Sequence, residues 1–89
     1  MSKVQKEVTI LNPQGLHARP AALFVQIAAK FDSAITVTKD QESVNGKSIM
    51  GILMLGAQQN SKITITADGH DAPMALKELE EFLQNTESK

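Results

Sequence analysis

In Gly15-Leu16-His17-Ala18-Arg19-Pro20 an imidazole and a guanidinium stand two residues apart, and the spacing predicts that both lie at the mouth of a helix. Pro20 is tolerated only in a first helical turn, where its missing N–H would have had no intrahelical partner, so His17 falls at the N-terminal edge. Free N–H groups and the positive end of the helix dipole favour an anion there and disfavour an imidazolium. A phosphoryl group satisfies both preferences. A neutral imidazole can attack phosphorus, and Arg19 can balance charge spread over the transferring oxygens. The same residues fit an exposed histidine after a turn beside a solvated arginine, so on physical grounds alone the pattern suggests a phosphohistidine without establishing it. His70, in the turn Asp68-Gly69-His70, has no catalytic companion in its sequence neighbourhood and is expected to be an ordinary turn residue. Two histidines without cysteine are too few to argue for a metal site, and no cofactor is implied.

A second group of residues lies around Ser48. Ser48 to Leu55 reads as a brief helix, with Ser48 as N-cap and Gly56 just past the end. As a cap Ser48 contributes about 1 kcal/mol and needs no further purpose; a phosphate there would meet the same helix-terminal amides. Ile49, Met50, Ile52, Leu53, Met54 and Leu55 cannot all face one core. With Ile52 and Leu55 turned inward, Ile49, Met50 and Leu53 are left outside. The alternatives are loose packing under a loop and a docking surface; the second is favoured, because compact monomers seldom leave such a cluster uncovered.

The elements that must position these residues follow from periodicity. Residues 4–11 form a first strand, with Val4, Val8 and Ile10 on one face and Lys6 interrupting it. Asn12-Pro13-Gln14-Gly15 breaks it. Ala18 to Phe31 switches to helical spacing, with Pro20, Phe24, Ile27, Ala28 and Phe31 on one side. Ala34 to Lys39 alternates as a strand. A short strand at Glu42 to Val44 follows, closed by Asn45-Gly46, a dipeptide that tolerates positive φ in tight turns. Ser61 to Ala67 is a further strand with Ile63, Ile65 and Ala67 on one face. Asp71 caps a last helix that runs to about Gln84, with Ala75, Leu76, Leu79, Phe82 and Leu83 as its apolar stripe. The order β-α-β-β-α-β-α implies a two-layer α/β sandwich, of the α+β kind. A right-handed crossover makes strands one and two parallel, with strand four between them.

Composition bounds the rest. Eighty-nine residues suit one small domain, 1–89, because so short a chain cannot support two cores. Hydrophobic residues at 42% and charged residues at 21% fit a globular chain that folds alone as a monomer. With no cysteine, packing must hold it without disulfides or thiolate metal sites. A net charge of −1, no Tyr or Trp and three Phe argue against phosphate-tracking and base-stacking nucleic-acid readers. No run approaches the roughly 18 apolar residues of a membrane helix, and the N-terminus lacks the apolar core of a signal peptide, so a cytoplasmic location without membrane insertion is expected.

Gly-Leu-His-Ala-Arg-Pro, an Ala-rich helix, and Gly-Lys-Ser-Ile-Met-Gly about thirty residues later together resemble the HPr family of histidine-containing phosphocarriers of the bacterial sugar phosphotransferase system, over essentially the whole chain. The resemblance implies an open-faced sandwich, a four-stranded mainly antiparallel sheet covered on one face by three helices. It implies a carrier rather than a stand-alone enzyme, with phosphate on Nδ1 of His17, aided by Arg19 and helix-terminal amides. Enzyme I, charged by phosphoenolpyruvate, would be the donor, and sugar-specific enzyme IIA domains the acceptors, meeting a face that includes Leu23, Ile49, Met50 and Leu53. Ser48 matches the family's regulatory serine, the target of HPr kinase/phosphorylase in many bacteria. Enteric relatives carry lysines on helix one; here Gln26 and Ala29 are neutral and Leu23 is apolar, so docking should be less salt-sensitive. Two alternatives stay open: a paralogue serving mainly nitrogen or carbon regulation, and a binding module in which His17 is incidental.

Overall fold

The computed structural model describes residues 3–84. Four strands, β1 (Lys3–Thr9), β2 (Ala34–Lys39), β3 (Glu42–Asn45) and β4 (Lys62–Asp68), and three helices, α1 (Ala18–Ala29), α2 (Ile49–Leu55) and α3 (Ala72–Gln84), follow one another as β1-α1-β2-β3-α2-β4-α3. The sheet order is β1-β4-β2-β3, and every neighbouring pair is antiparallel. Both β1 and β2 therefore run opposite to the central β4 and parallel to each other, as the crossover through α1 requires.

Period-two alternation sorts the sheet into two faces. Val8 pairs with Ile63, Val37 with Ile65 and Ile35 with Ala67, and all six are buried against the helices. Phe24 and Ala28 of α1, Ile52 of α2, and Ala75 and Leu79 of α3 complete that core at 0% exposure. The opposite face carries Gln5, Glu7, Thr36, Thr38, Thr64 and Thr66, where Thr38 and Ser43 share a hydroxyl hydrogen bond of 2.8 Å. One face is apolar and covered, the other polar and open, which is the two-layer arrangement.

Lys6 is opposite Ile65, in the row that faces the helices. On an edge strand a lysine can occupy such a position if its stem follows the apolar surface and its ammonium reaches out. Lys6 Nζ meets Glu80 Oε2 of α3 at 2.6 Å, so the apparent interruption joins sheet to helix.

Beyond one-residue shifts at other strand ends, three assignments differ from expectation. β1 stops at Thr9, although Ile10 continues the contact through Ile10 N–H to Ser61 O (2.9 Å) and Asn60 N–H to Ile10 O (2.7 Å). α1 stops at Ala29 because Lys30 and Phe31 donate three residues back, to Ile27 O and Ala28 O, tightening the last turn. Asn45-Gly46 is not a positive-φ turn. The hairpin of β2 and β3 turns at Asp40-Gln41, with Asp40 left-handed at φ 56°, whereas Gly46 is required by proximity: a Cβ there would lie 2.5 Å from Ile35 Cγ2.

Candidate functional site

His17 is the N-cap of α1, with extended backbone at φ −100° and ψ −161° and no side-chain cap bond. Its carbonyl accepts the first helical hydrogen bond, from Ala21 N–H at 2.8 Å, while the ring stays exposed. Leu16 and Pro20 are buried on either side of the exposed stretch 17–19, so two apolar anchors hold the helix mouth and leave its polar side chains in solvent. The N–H groups of Ala18 and Arg19 have no intrahelical partner by helix geometry, and Pro20 has none to lose. Arg19 is exposed and makes no ion pair or side-chain hydrogen bond among the described residues, leaving its guanidinium available to an anion.

The preceding loop is tightly specified. Asn12 Oδ1 accepts from Gln14 N–H at 2.9 Å, and Asn12 O accepts from Gly15 N–H at 2.9 Å. Leu16 N–H then reaches Ala57 O, also at 2.9 Å. Gly15 has φ +67°, and a Cβ would lie 2.5 Å from Ala57 O, so this position admits only glycine. The loop brings Gln14 Oε1 to 3.1 Å from His17 Nε2, a contact that sequence periodicity gave no sign of.

Ser48 is the N-cap of α2, and its Oγ accepts from Gly51 N–H at 3.1 Å, as its residue type predicts. Gly56 closes the helix in the left-handed region at φ 62°. Around this helix, packed beside α1, the exposed apolar residues are Leu23 at 38%, Ile49 at 44%, Met50 at 68% and Met54 at 75%. Ile52 and Leu55 point inward as expected. Leu53 does not stand outside: it is half-buried and packs against the core. Its place outside goes to Met54, four residues from Met50 and so on the same helical row, a spacing that could have identified it.

His70 has partners after all. Its Nε2 lies 3.0 Å from Asp32 Oδ2, and the hydrogen bond to Asp32, then the charge of Asp71, raise its pKa above the ordinary histidine value. Asp71 does more than sit at the start of α3. Its carboxylate accepts from Asp32 N–H (2.9 Å) and Ser33 N–H (3.0 Å) and from the hydroxyl of the buried Ser33. The Ser33 hydroxyl is the main cause holding its pKa down at about 2, with the two backbone donors and the charge of His70 adding to it. Asp32, His70 and Asp71 bring three potential metal-ligand atoms within 4.8 Å, but these groups already bond to one another and to the Ser33 turn. They tie the α1–β2 turn to the start of α3.

No helix among the described residues is long and apolar enough to cross a membrane. The sandwich with a histidine at the mouth of its first helix is the architecture of small phosphocarrier proteins. HPr from Bacillus anthracis superposes with a TM-score of 0.91 at 49% identity, covering 94% of this chain and 100% of that one. Phosphocarrier protein HPr of Treponema pallidum is 45% identical over 82 residues, 92% of this chain and 93% of its own. A Bacillus subtilis catabolite-repression protein, Crh, described as a domain-swapped dimer, matches with a TM-score of 0.75 at 43% identity over 91% of this chain and 93% of that one. Residues 4–85 match the family model described as PTS HPr component phosphorylation site, and the chain belongs to the HPr family of the phosphotransferase system.

Proposed function

We propose that this chain accepts a phosphoryl group on Nδ1 of His17 from phosphorylated enzyme I and passes it to enzyme IIA domains during phosphoenolpyruvate-dependent sugar uptake. The observation that carries the reading is the exposed imidazole at the N-cap of α1, beside first-turn amides and an Arg19 guanidinium that have no partner among the described residues. Those amides and the guanidinium meet the developing charge on the transferring oxygens without reorganising. Leu23, Ile49, Met50 and Met54 form the docking face, with the half-buried Leu53 at its margin, and its apolar character makes association weakly salt-dependent. Ser48 is the regulatory site, phosphorylated where an HPr kinase/phosphorylase is present. Phosphate there meets the α2 amides without harm to the fold, but would have to be stripped of water against an apolar partner. Melting temperature should then hold while transfer slows. The working form is a cytoplasmic monomer, with a domain-swapped dimer, as described for Crh, the outcome that size-exclusion chromatography would have to reveal to displace it.

A mainly regulatory role is the second reading, favoured by the likeness to Crh. Incubation with enzyme I and labelled phosphoenolpyruvate tests the proposal. Acid-labile, base-stable phosphate at His17 supports it, and its absence leaves regulation or simple binding.

A further inference from the structure

The geometry points to Gln14 as a positioning residue that selects the reactive tautomer of His17, an inference that rests on His17 being the phosphoryl acceptor. A neutral imidazole carries its proton on one nitrogen only, and the nitrogen that attacks phosphorus must be the bare one. The hydrogen bond made by one ring nitrogen decides the state of the other. Gln14 Oε1, a carbonyl oxygen, can only accept, and it faces His17 Nε2 at 3.1 Å. The proton is thereby drawn to Nε2, and Nδ1, which has no hydrogen-bond partner among the described residues, keeps its lone pair.

The acceptor is held in place by the loop. Asn12 fixes the Gln14 backbone through its side-chain oxygen (2.9 Å), and Gly15 permits the positive-φ step (φ +67°) that turns the chain toward Leu16. Gln14 and His17, three residues apart, thus meet across a turn whose shape is fixed by Asn12, Gly15 and Ala57.

In the transfer step the Nδ1 lone pair forms the N–P bond. The bond from phosphorus to the donor breaks and returns its electron pair to the donor. The ring retains the Nε2 proton and becomes cationic. The Nε2–H bond to the carboxamide strengthens as that charge develops, because hydrogen bonds from charged donors are the stronger ones. Gln14 therefore contributes more in the transition state than before it.

Long-range proton–nitrogen NMR of the imidazole rings in the full chain at alkaline pH reads the tautomer directly, with His70 as an internal reference. Wild type should show a bare Nδ1 and a protonated Nε2 at His17. Gln14→Ala should lower the ratio of the two tautomers by about 2- to 10-fold, the range of a single neutral hydrogen bond, and slow single-turnover transfer from enzyme I by a similar factor. Gln14→Glu, which preserves an accepting oxygen, should restore the Nε2–H tautomer while its negative charge moves the pH profile of transfer upward. Both side chains project into solvent, so melting temperature should be unchanged. A proton on Nδ1 in the wild type, or a tautomer ratio untouched by Gln14→Ala, overturns the inference. Label reaching His17 in spite of that outcome leaves the phosphocarrier reading intact, and a bare Nδ1 that never takes label sinks the carrier reading alone.

Discussion

His17 and His70, the two histidines of the chain, are both exposed and both precede a helix, yet their surroundings give them opposite chemistry. The side-chain partner of His17 is a neutral carboxamide, which orients the ring without adding charge. The partners of His70 are carboxylates: the hydrogen bond to Asp32, then the charge of Asp71, favour the protonated ring and raise its pKa above the ordinary histidine value. A protonated imidazole has no lone pair to offer phosphorus. His17 also opens onto a twelve-residue helix whose first amides have no partner among the described residues, whereas the Asp71 carboxylate beside His70 is already committed to the backbone of Asp32 and Ser33. One turn is built to receive an anion, and the other to close on itself.

The largest effect expected from breaking this contrast is total. His17→Ala should abolish phosphoryl acceptance from enzyme I while leaving the fold intact, and His70→Ala should accept label at the wild-type rate. Label persisting in the first variant, or lost in the second, would invert the comparison. Arg19→Ala should slow transfer by roughly 10²-fold, the loss associated with one preorganised contact to a transferring group; stopped-flow or rapid-quench measurement with no change in rate would remove Arg19 from the mechanism. Met50→Glu should weaken enzyme I binding by about 2 kcal/mol, the scale of a central interface anchor, and calorimetry showing unaltered affinity in a folded variant would place docking elsewhere.

Much of this was legible in the sequence, for an identifiable reason. Periodicity is a local signal, so the seven elements and their order emerge from it. Pro20 alone pins His17 to the helix mouth, because a proline has one comfortable place in a helix. Ser48 at the start of α2 follows equally from residue type. What escaped involves residues far apart in sequence or close approach of backbones. His70 and Asp32 are separated by 38 positions, and nothing local announces their meeting. Asp71 reads as a helix cap, but its carboxylate bonds the backbone of another turn. Asn45-Gly46 carries the signature of a positive-φ turn and is instead selected by a contact with Ile35. Gln14 is polar in a polar loop, and only the fixed path from Asn12 to Leu16 turns it toward the ring.

The smallest effects concern the closed turn, and they separate by pH with opposite sign. The Asp71 carboxyl titrates at about 2 in the folded protein against about 3.9 in an unfolded chain. Its stabilising contribution is therefore complete above pH 4 and disappears as pH falls from there toward 2. Asp71→Asn should lower the melting temperature at pH 7, because an amide retains one accepting oxygen for Ser33 but turns an N–H donor toward the Asp32 N–H. The deficit relative to wild type should narrow below pH 4, where the wild-type carboxylate is itself being neutralised. His70 behaves in reverse. Its folded pKa lies above the ordinary value, so whatever it contributes is complete below about 6.5 and is lost as pH rises through the folded value. His70→Ala should therefore cost more melting temperature at pH 5.5 than at a pH above the folded value. Both partners are mostly exposed, at 75% and 82% for His70 and Asp32, so this effect should be the smaller of the two and should shrink further in high salt. Melting curves of the two variants across pH 2 to 8 would display the crossing directly; a His70→Ala deficit that grew with rising pH would mean that the ring acts in this turn through packing and not through charge.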